Sequence, residues 1–511
     1  MGRETDKSPW SLPYSTPTPG DGGTLDGLAM VARIGCYLVL AAAIIVPSIQ
    51  FQAQTASADA RGKPSKGAIG RWRLAGREFW EGRNIYRAIP TGPQENAGKV
   101  YLHPNMPFTI MLLSPFSYMP AGVTAAVFSL LKAGVLIAAG LMLTATANHQ
   151  GRRMPDWVVG LALLWAIMLI VADIQHGNTN GFVLGALALH LWLYRKGRDL
   201  ASGCALALAV CLKMTPAIFL LYWLYQRNWR LLGAAAVALA LAMTVIPAGG
   251  CIAMRGFDIS AGIDHWRMLT ATWWENLIAP GLLKAAPYPI HINQSLPGVL
   301  SRYFLDGQYG DAFWNPDDFT YAGHVAMGAV DPTQKPGWIT IAPLPIDTVK
   351  WITRLLQLVI VAVMAWAIGW RKLARDDGRR MLHYGLVAVG MLLLNQRTWD
   401  QHAGVMLILT IGLWHAIAFG RMSAAARKWA LGLAVAAGPL IWLGGSALFI
   451  GLARLSGESD KTGERWFDWA KAWGPTFWYF VLMLAATVVA AVAMRNCDEP
   501  YATRRQTLSA G

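Results

Sequence analysis

Apolar runs of membrane-spanning length recur from about residue 30 to about residue 494, and they constrain the fold more tightly than any other feature. A helix needs about 20 apolar residues to cross a bilayer core. Runs near that length occupy 30–49, 121–146, 156–173, 178–194, 229–249, 350–370, 381–396, 400–419, 428–451 and 474–494. Two stretches are less regular. The first, 105–118, is short and carries Pro115, with Pro120 just beyond it. The second, 200–224, is broken by Lys213-Met214-Thr215-Pro216 and reads as two half-helices meeting at that break. The pattern predicts an all-α integral membrane protein with about 11–13 membrane segments, some of them short or broken.

Composition supports this reading. Only 14% of the 511 residues are charged and 55% are hydrophobic, whereas soluble domains carry about 25% charge. The net charge of +15 would suggest nucleic acid in a soluble protein. Here the basic residues lie in short clusters between apolar runs, so they read as a topology signal and no nucleic-acid partner is expected. The clusters at 195–198, 226–230, 371–380 and 421–428, with Arg495, Arg504 and Arg505, are expected on the cytoplasmic side. The opposite side then receives 174–178, 250–349, 395–400 and 452–473. The crossing parity of 105–146 stays open. Residues 1–27 read as a polar tail, 28–496 as one membrane domain and 497–511 as a cytoplasmic tail; no cleavable leader is expected. The five cysteines have no C-x-x-C spacing, which argues against a disulfide framework or a thiolate metal site.

Two long polar segments interrupt the apolar pattern. In 50–104, Trp72, Phe79, Trp80 and Tyr86 alternate with Arg71, Arg73, Arg77, Arg83 and Arg87. That alternation suits a helix lying on the membrane with its arginines near lipid phosphates, or else a solvated basic loop. The segment 250–349 holds Asp264-His265-Trp266, Trp273-Trp274-Glu275-Asn276, Asn293-Gln294-Ser295-Leu296 and Arg302. Aromatics mixed with amides and hydroxyls suit a sugar site, and equally a membrane-interface loop.

Several local patterns line up along the chain. They are Tyr101-Leu102-His103-Pro104-Asn105-Met106-Pro107, Asp173-Ile174-Gln175-His176-Gly177-Asn178-Thr179-Asn180, Lys213-Met214-Thr215-Pro216, Asn293-Gln294-Ser295-Leu296 with Gly298 and Arg302, and Thr398-Trp399-Asp400-Gln401-His402. In order and spacing, from about residue 70 to about 420, they resemble the polyprenol-phosphate-sugar-dependent glycosyltransferases of the large multi-spanning class. The nearest resemblance is to the DUF2029 group, glycosyltransferase family 87. The resemblance implies a GT-C-like helical body whose extracytoplasmic loops carry the site, in a bacterial inner membrane. It further implies a polyprenyl-phosphate sugar donor, a lipid or glycan acceptor, and inverting transfer with no cofactor.

That family places an acidic residue about fourteen positions before the glycine that here is Gly82, and no acid stands near Gly67-Ala68. An inverting transfer needs a base for the acceptor proton. Asp59 is the first candidate, with Glu78, Asp264 and Asp400 as alternatives. Lys213 and Arg302 are candidates for the donor phosphate: the first is a costly intramembrane charge, the second a five-donor fork. The other readings are a snorkelling or acid-paired lysine and an arginine bonded to loop carbonyls. His176, Asn180, Asn293, Gln294, His265, Trp399 and His402 are candidates for sugar or acceptor contacts; helix capping is the competing role for His176, Asn180, Asn293, Gln294 and Asp400. No spaced ligand cluster supports a metal. The rival functions are an O-antigen-type polymerase or ligase, a transporter, and a non-catalytic membrane protein.

Overall fold

The computed structural model describes residues 23–61, 68–86, 89–90, 100–101, 105–148, 154–279, 291–305, 339–497 and 501. They form an all-helical, multi-spanning membrane protein, with one two-residue strand pair, Ile89–Pro90 against Val100–Tyr101. Among the described residues six helices are long and apolar enough to cross a membrane, or eight if each of two bent pairs is one span. Four shorter apolar helices, Pro107–Ser117, Asp199–Leu212, Thr215–Tyr225 and Arg380–Leu393, fall below that length. The about 11–13 segments expected from the apolar pattern therefore divide into full-length helices, bent pairs and short pieces.

In chain order the helices used below are α1 (Gly23–Ala60), α2 (Ala68–Trp80), α3 (Pro107–Leu113), α4 (Ala121–Ala147), α5 (Asp156–Leu164), α6 (Ile167–Gln175), α7 (Asn180–Arg195), α8 (Asp199–Leu212), α9 (Ile218–Tyr225), α10 (Trp229–Met243), α11 (Val245–Met254), α12 (Ile259–Trp273), α13 (Leu296–Phe304), α14 (Ile346–Ile368), α15 (Arg380–Leu393), α16 (Met406–Phe419), α17 (Ala424–Leu443), α18 (Ser446–Leu455), α19 (Asp460–Ala472) and α20 (Pro475–Met494). The main core runs through α4 to α9, α13 to α17 and α20, with Leu184, Leu187, Trp223, Leu386, Met406, Leu409 and Phe480 buried in it. A second cluster, around Phe79, Tyr86, Ile110, Cys251, Leu269 and Trp273, joins α2, α3, α11 and α12.

Breaks in membrane helices leave carbonyls without partners, and non-helical backbone at that depth is tolerated only where protein or water meets them. Each break here is met by a side chain. At the 56° bend between α5 and α6 the Trp165 carbonyl accepts from the Tyr479 hydroxyl at 2.6 Å. At the 67° bend between α17 and α18 the Gly444 carbonyl accepts from Lys471 Nζ at 3.2 Å. Between α8 and α9, Pro216 has no N–H to offer the Leu212 carbonyl four residues back. That carbonyl accepts instead from Asn105 Nδ2 at 2.7 Å, and the Cys211 carbonyl accepts from the Thr109 hydroxyl. Short α3 is thereby fastened to the end of α8.

The connectors gather at two ends of the body. At one end Arg195 donates to the Thr146 carbonyl (2.6 Å), Arg375 pairs with Asp199 (2.7 Å), Arg379 donates to the Cys497 carbonyl (2.8 Å), and Cys497 Sγ meets the Arg421 carbonyl. These are the basic clusters that charge alone grouped together. At the other end the Ala68 amide donates to the His176 carbonyl (2.9 Å), Arg77 to Ser117 (2.9 Å), Asn293 to Gln396 (3.1 Å) and Gln294 to Lys471 (3.0 Å). The parity of 105–146 follows. Pro107–Ser117 stays at the His176 end, and α4 alone runs to the Arg195 end.

Candidate active site

At the His176 end, the turn from α6 to α7 is built around Asp173. Its Oδ2 accepts the Gly181 amide (2.9 Å) and pairs with Lys132 Nζ (3.0 Å); its Oδ1 accepts Asn180 Nδ2 (3.0 Å). A carboxylate beside the first turn of α7 also suits the positive end of the helix dipole. Because the Asn180 amide nitrogen is turned to Asp173, its oxygen faces away and accepts Lys213 Nζ at 2.7 Å. The Pro216 break holds Lys213 at the end of α8, so a chain of contacts runs Lys132–Asp173–Asn180–Lys213.

Three more basic groups converge there. Lys213, His176 and Arg71 all act electrostatically on His402. His176 is exposed at the end of α6, and Arg71 comes from the first turn of α2, whose start is tied to the His176 carbonyl. His402 stacks against Trp399 at 5.7 Å and accepts the Trp399 amide at 3.4 Å. The arrangement brings Lys213 and Arg71, with the donors of two imidazoles, to one end of a helical body, where they can hold an anion.

The segment 291–305 is bolted to the 395–400 turn. Asn293 Oδ1 accepts the amides of Ser295 (3.2 Å) and Thr398 (3.0 Å), and the Ser295 hydroxyl donates to the Gln396 carbonyl (3.0 Å). Gln294 Nε2 donates to the carbonyls of His291 (2.7 Å) and Lys471 (3.0 Å). Arg302, fully buried, donates to the carbonyls of Ala472 and Asn293, both at 2.8 Å. The structure thus joins Asn293, Gln294 and Arg302 in one scaffold beside Asp400, while Lys213 and Asn180 belong to the basic cluster.

The candidate acids are separated. Asp59 lies in the last turn of α1, one turn beyond Ala56, which sits against Gly122 at the start of α4; its side chain is outside the described residues. Glu78 is buried on α2, and its Oε2 has no hydrogen-bond partner. Burial holds its carboxyl above the usual glutamate range, with Arg83 opposing and Glu81 adding to the shift. Asp264 is a surface acid 3.6 Å from Arg267. Asp400 is clamped by Lys471 and accepts the Thr476 hydroxyl at 2.8 Å. His265 is buried on α12, 3.2 Å from Arg255, with Nε2 unpartnered; burial and Arg255 lower its pKa. Arg255 also reaches the Gly82 carbonyl at 3.4 Å, which joins α12 to the end of α2.

Two residues of this site carried a readable signal that the sequence analysis did not use. Lys132 stands alone inside an apolar helix, where a charge needs a partner. Arg71 was seen only as part of an amphipathic pattern. Arg73 and Arg77 of that pattern donate to the carbonyls of Met119 (2.8 Å) and Ser117 (2.9 Å). No group of three or more metal-ligating side chains occurs among the described residues.

The helical body is that of a multi-spanning membrane protein, with a basic cluster and the buried carboxylate of Asp173 at one end. Within that class the chain belongs to glycosyltransferase family 87, whose signature matches residues 101–394. It is 24% identical over 326 residues to the polyprenol-phosphate-mannose-dependent α-(1-2)-phosphatidylinositol mannoside mannosyltransferase of Mycobacterium tuberculosis, covering 59% of this chain and 70% of that protein. No solved structure matches the chain.

Proposed function

We propose that this chain transfers a glycosyl residue, with inversion, from a polyprenyl-phosphate sugar to a hydroxyl of a lipid or glycan acceptor at the outer face of a bacterial inner membrane. The observation that carries this is the convergence of Arg71, His176, Lys213 and His402 at the Pro216 helix break. A lipid-linked phosphate presents its charge at the end of a membrane helix bundle, and this cluster lies there. Lys213, oriented by Asn180, meets the phosphate as a point charge. Arg302 acts as a positioning residue through the 291–305 scaffold. Trp399 and His265 line the approach of sugar and acceptor, while Asn293 and Gln294, buried and bonded to backbone, hold the scaffold.

In the reaction the acceptor oxygen bonds to the anomeric carbon as the bond from that carbon to the phosphate oxygen breaks. The electron pair leaves with polyprenyl phosphate, and the acceptor proton passes to a carboxylate. The cluster stabilises the charge that grows on the leaving phosphate, the term that contributes most in such transfers. Asp59 is the first candidate base, and Glu78 the alternative. A base works best with a pKa near the operating pH, and burial moves Glu78 in that direction. Mannose, named in the similar mycobacterial protein, is the first sugar to test.

The test is transfer by the purified protein from a short-chain polyprenyl-phosphate mannose. Lys213→Met is expected to lower turnover by about 10²–10³-fold, the scale for losing one preorganised charge-stabilising donor, with the melting temperature little changed. Turnover equal to the unmutated protein would remove the cluster from the mechanism. The orientation has its own check. A cysteine at Asp264 is expected to react with an impermeant thiol reagent in intact cells; labelling only after lysis would reverse the assigned face.

A further inference from the structure

The hairpin of α18 and α19 is built inside out for a helix pair in water. Trp466, Trp469 and Trp473, spaced three and four residues apart, share one face of α19 and its C-terminal cap. All three are exposed, Trp469 by 62%. The opposite face carries Asp468 and Lys471, and this charged face is the one the protein holds. Asp468 pairs with His291 at 3.2 Å. Lys471, 1% exposed, clamps Asp400 and donates to the Thr476 hydroxyl at 3.0 Å. The backbone of the last turn is held too: the Ala472 carbonyl accepts from Arg302 and the Trp473 carbonyl from the Tyr303 hydroxyl, both at 2.8 Å. Along the flank α18 packs so closely that a Cβ on Gly463 would stand 2.6 Å from Ile450 Cα, and the Arg454–Asp460 pair at 2.8 Å closes the tip. Leu448, Leu452 and Leu455, on the α18 face opposite Ile450, are also exposed.

A surface helix in water turns its apolar stripe to the core and its charges outward. The reverse arrangement marks a face that meets something apolar. The path of the chain says what that is. α18 completes the bent span that α17 begins, and α20, a helix of membrane length, starts at Pro475 just after Trp473. The hairpin is therefore tied at both ends to membrane helices and stays at the bilayer edge. Its aromatic face continues onto α20. The Trp469 and Trp473 rings lie 6.2 Å apart, Trp473 lies 6.2 Å from Tyr303, and exposed Trp478 donates to the Tyr303 hydroxyl at 3.3 Å. Tryptophans collect at headgroup level because the ring is apolar and the indole N–H is polar. Charge around the hairpin tip balances, with Arg454, Lys461 and Arg465 against Glu458, Asp460 and Glu464. The rings, and not attraction to anionic headgroups, then supply the binding.

We infer that the Trp466, Trp469 and Trp473 face of α19 lies in the headgroup layer of the leaflet at the His176 end. The hairpin thereby anchors the 291–305 scaffold and Asp400 at a set depth against lipid. This holds whatever reaction the chain performs. The test is the collision accessibility of a nitroxide attached to Trp469→Cys and, on the charged face, to Glu464→Cys. The full-length protein is held in phosphatidylcholine nanodiscs, and the signal of the unmutated protein labelled in the same way is subtracted. At position 469 collisions with oxygen, which concentrates in lipid, are expected to outweigh those with a water-soluble nickel chelate; at position 464 the order is expected to reverse. The same result is expected in phosphatidylglycerol. Nickel outweighing oxygen at position 469 overturns the inference. Exclusion of both probes there means that protein, such as a second copy, covers the face, and overturns lipid as its occupant. Burial in phosphatidylglycerol alone overturns the aromatic anchor in favour of an electrostatic one. If Trp469→Cys does not fold, Trp466→Cys carries the test.

Discussion

The two ends of the helical body are both basic, and they use their charge differently. At the Arg195 end the arginines are structural. Arg195, Arg379 and Arg427 donate to helix-terminal carbonyls, and Arg375 and Arg380 stack on Tyr194 at 4.8 and 5.1 Å. Each such arginine meets carbonyls at a helix C-terminus, which the helix itself cannot satisfy. At the His176 end a lysine, an arginine and two histidines converge on one another, and the one buried carboxylate of that network, Asp173, is held by Lys132, Asn180 and the Gly181 amide. Charge satisfied by backbone builds a fold. Basic side chains gathered from four segments around a helix break build a candidate binding site.

The sharpest way to test that contrast is through the carboxylates of the His176 end. Removal of the proton acceptor is expected to cut the chemical step by about 10²–10⁴-fold with donor affinity retained. Single-turnover transfer by Asp59→Asn and Glu78→Gln, measured beside donor binding, assigns the role to whichever variant loses the step. If both transfer normally, Asp264 and Asp400 are next. If none of the four matters, the enzymatic reading falls. Glu78 also predicts a pH signature in stability. Its folded pKa is raised, so its protonated form favours the fold; that contribution is complete below the unfolded value and is lost as pH rises through the folded one. The melting temperature of Glu78→Gln relative to the unmutated protein is therefore expected to rise as pH climbs above the ordinary glutamate range. A flat difference would show that Glu78 is solvated.

A smaller effect separates the ends by stability. Lys132→Met leaves Asp173 buried without its cation, a change that costs about 3–5 kcal/mol. Arg375→Gln removes a pair with Asp199 whose arginine is 40% exposed, and the expected cost is under about 1 kcal/mol. Chemical denaturation of both variants in the same detergent gives the ratio. Equal costs would mean that the Asp173 network is no more buried than the rim.

Much of the candidate site was legible as residues and little of it as geometry. Lys213-Met214-Thr215-Pro216 stood out because a charge and a proline interrupt an apolar run, and both are costly in a membrane. Arg302 and Asn293 stood out equally, yet they hold the carbonyls of Ala472 and Gln396, from segments about 170 and about 100 residues away. Nothing in the local pattern distinguishes an arginine that holds carbonyls from one that holds phosphate, since both need the same fork of donors. Lys132 went unread because one charge in a long apolar helix does not alter the helical pattern, although it demands a partner.

The amino-acid sequence by itself determined the all-helical membrane class, the break at Lys213-Met214-Thr215-Pro216 and the sorting of the basic connectors to one end. Each of these follows from the water-to-lipid transfer cost of individual side chains, which is local and additive along the chain. Only the tertiary structure decided that Pro107–Ser117 does not cross, because that depends on Asn105 and Thr109 finding the carbonyls of Leu212 and Cys211. The same holds for the meeting of Arg71, His176, Lys213 and His402, which come from four separate segments. Their proximity is set by how the helices pack around Asp173 and the Pro216 break, and packing between distant segments leaves no mark on the periodicity of any one of them.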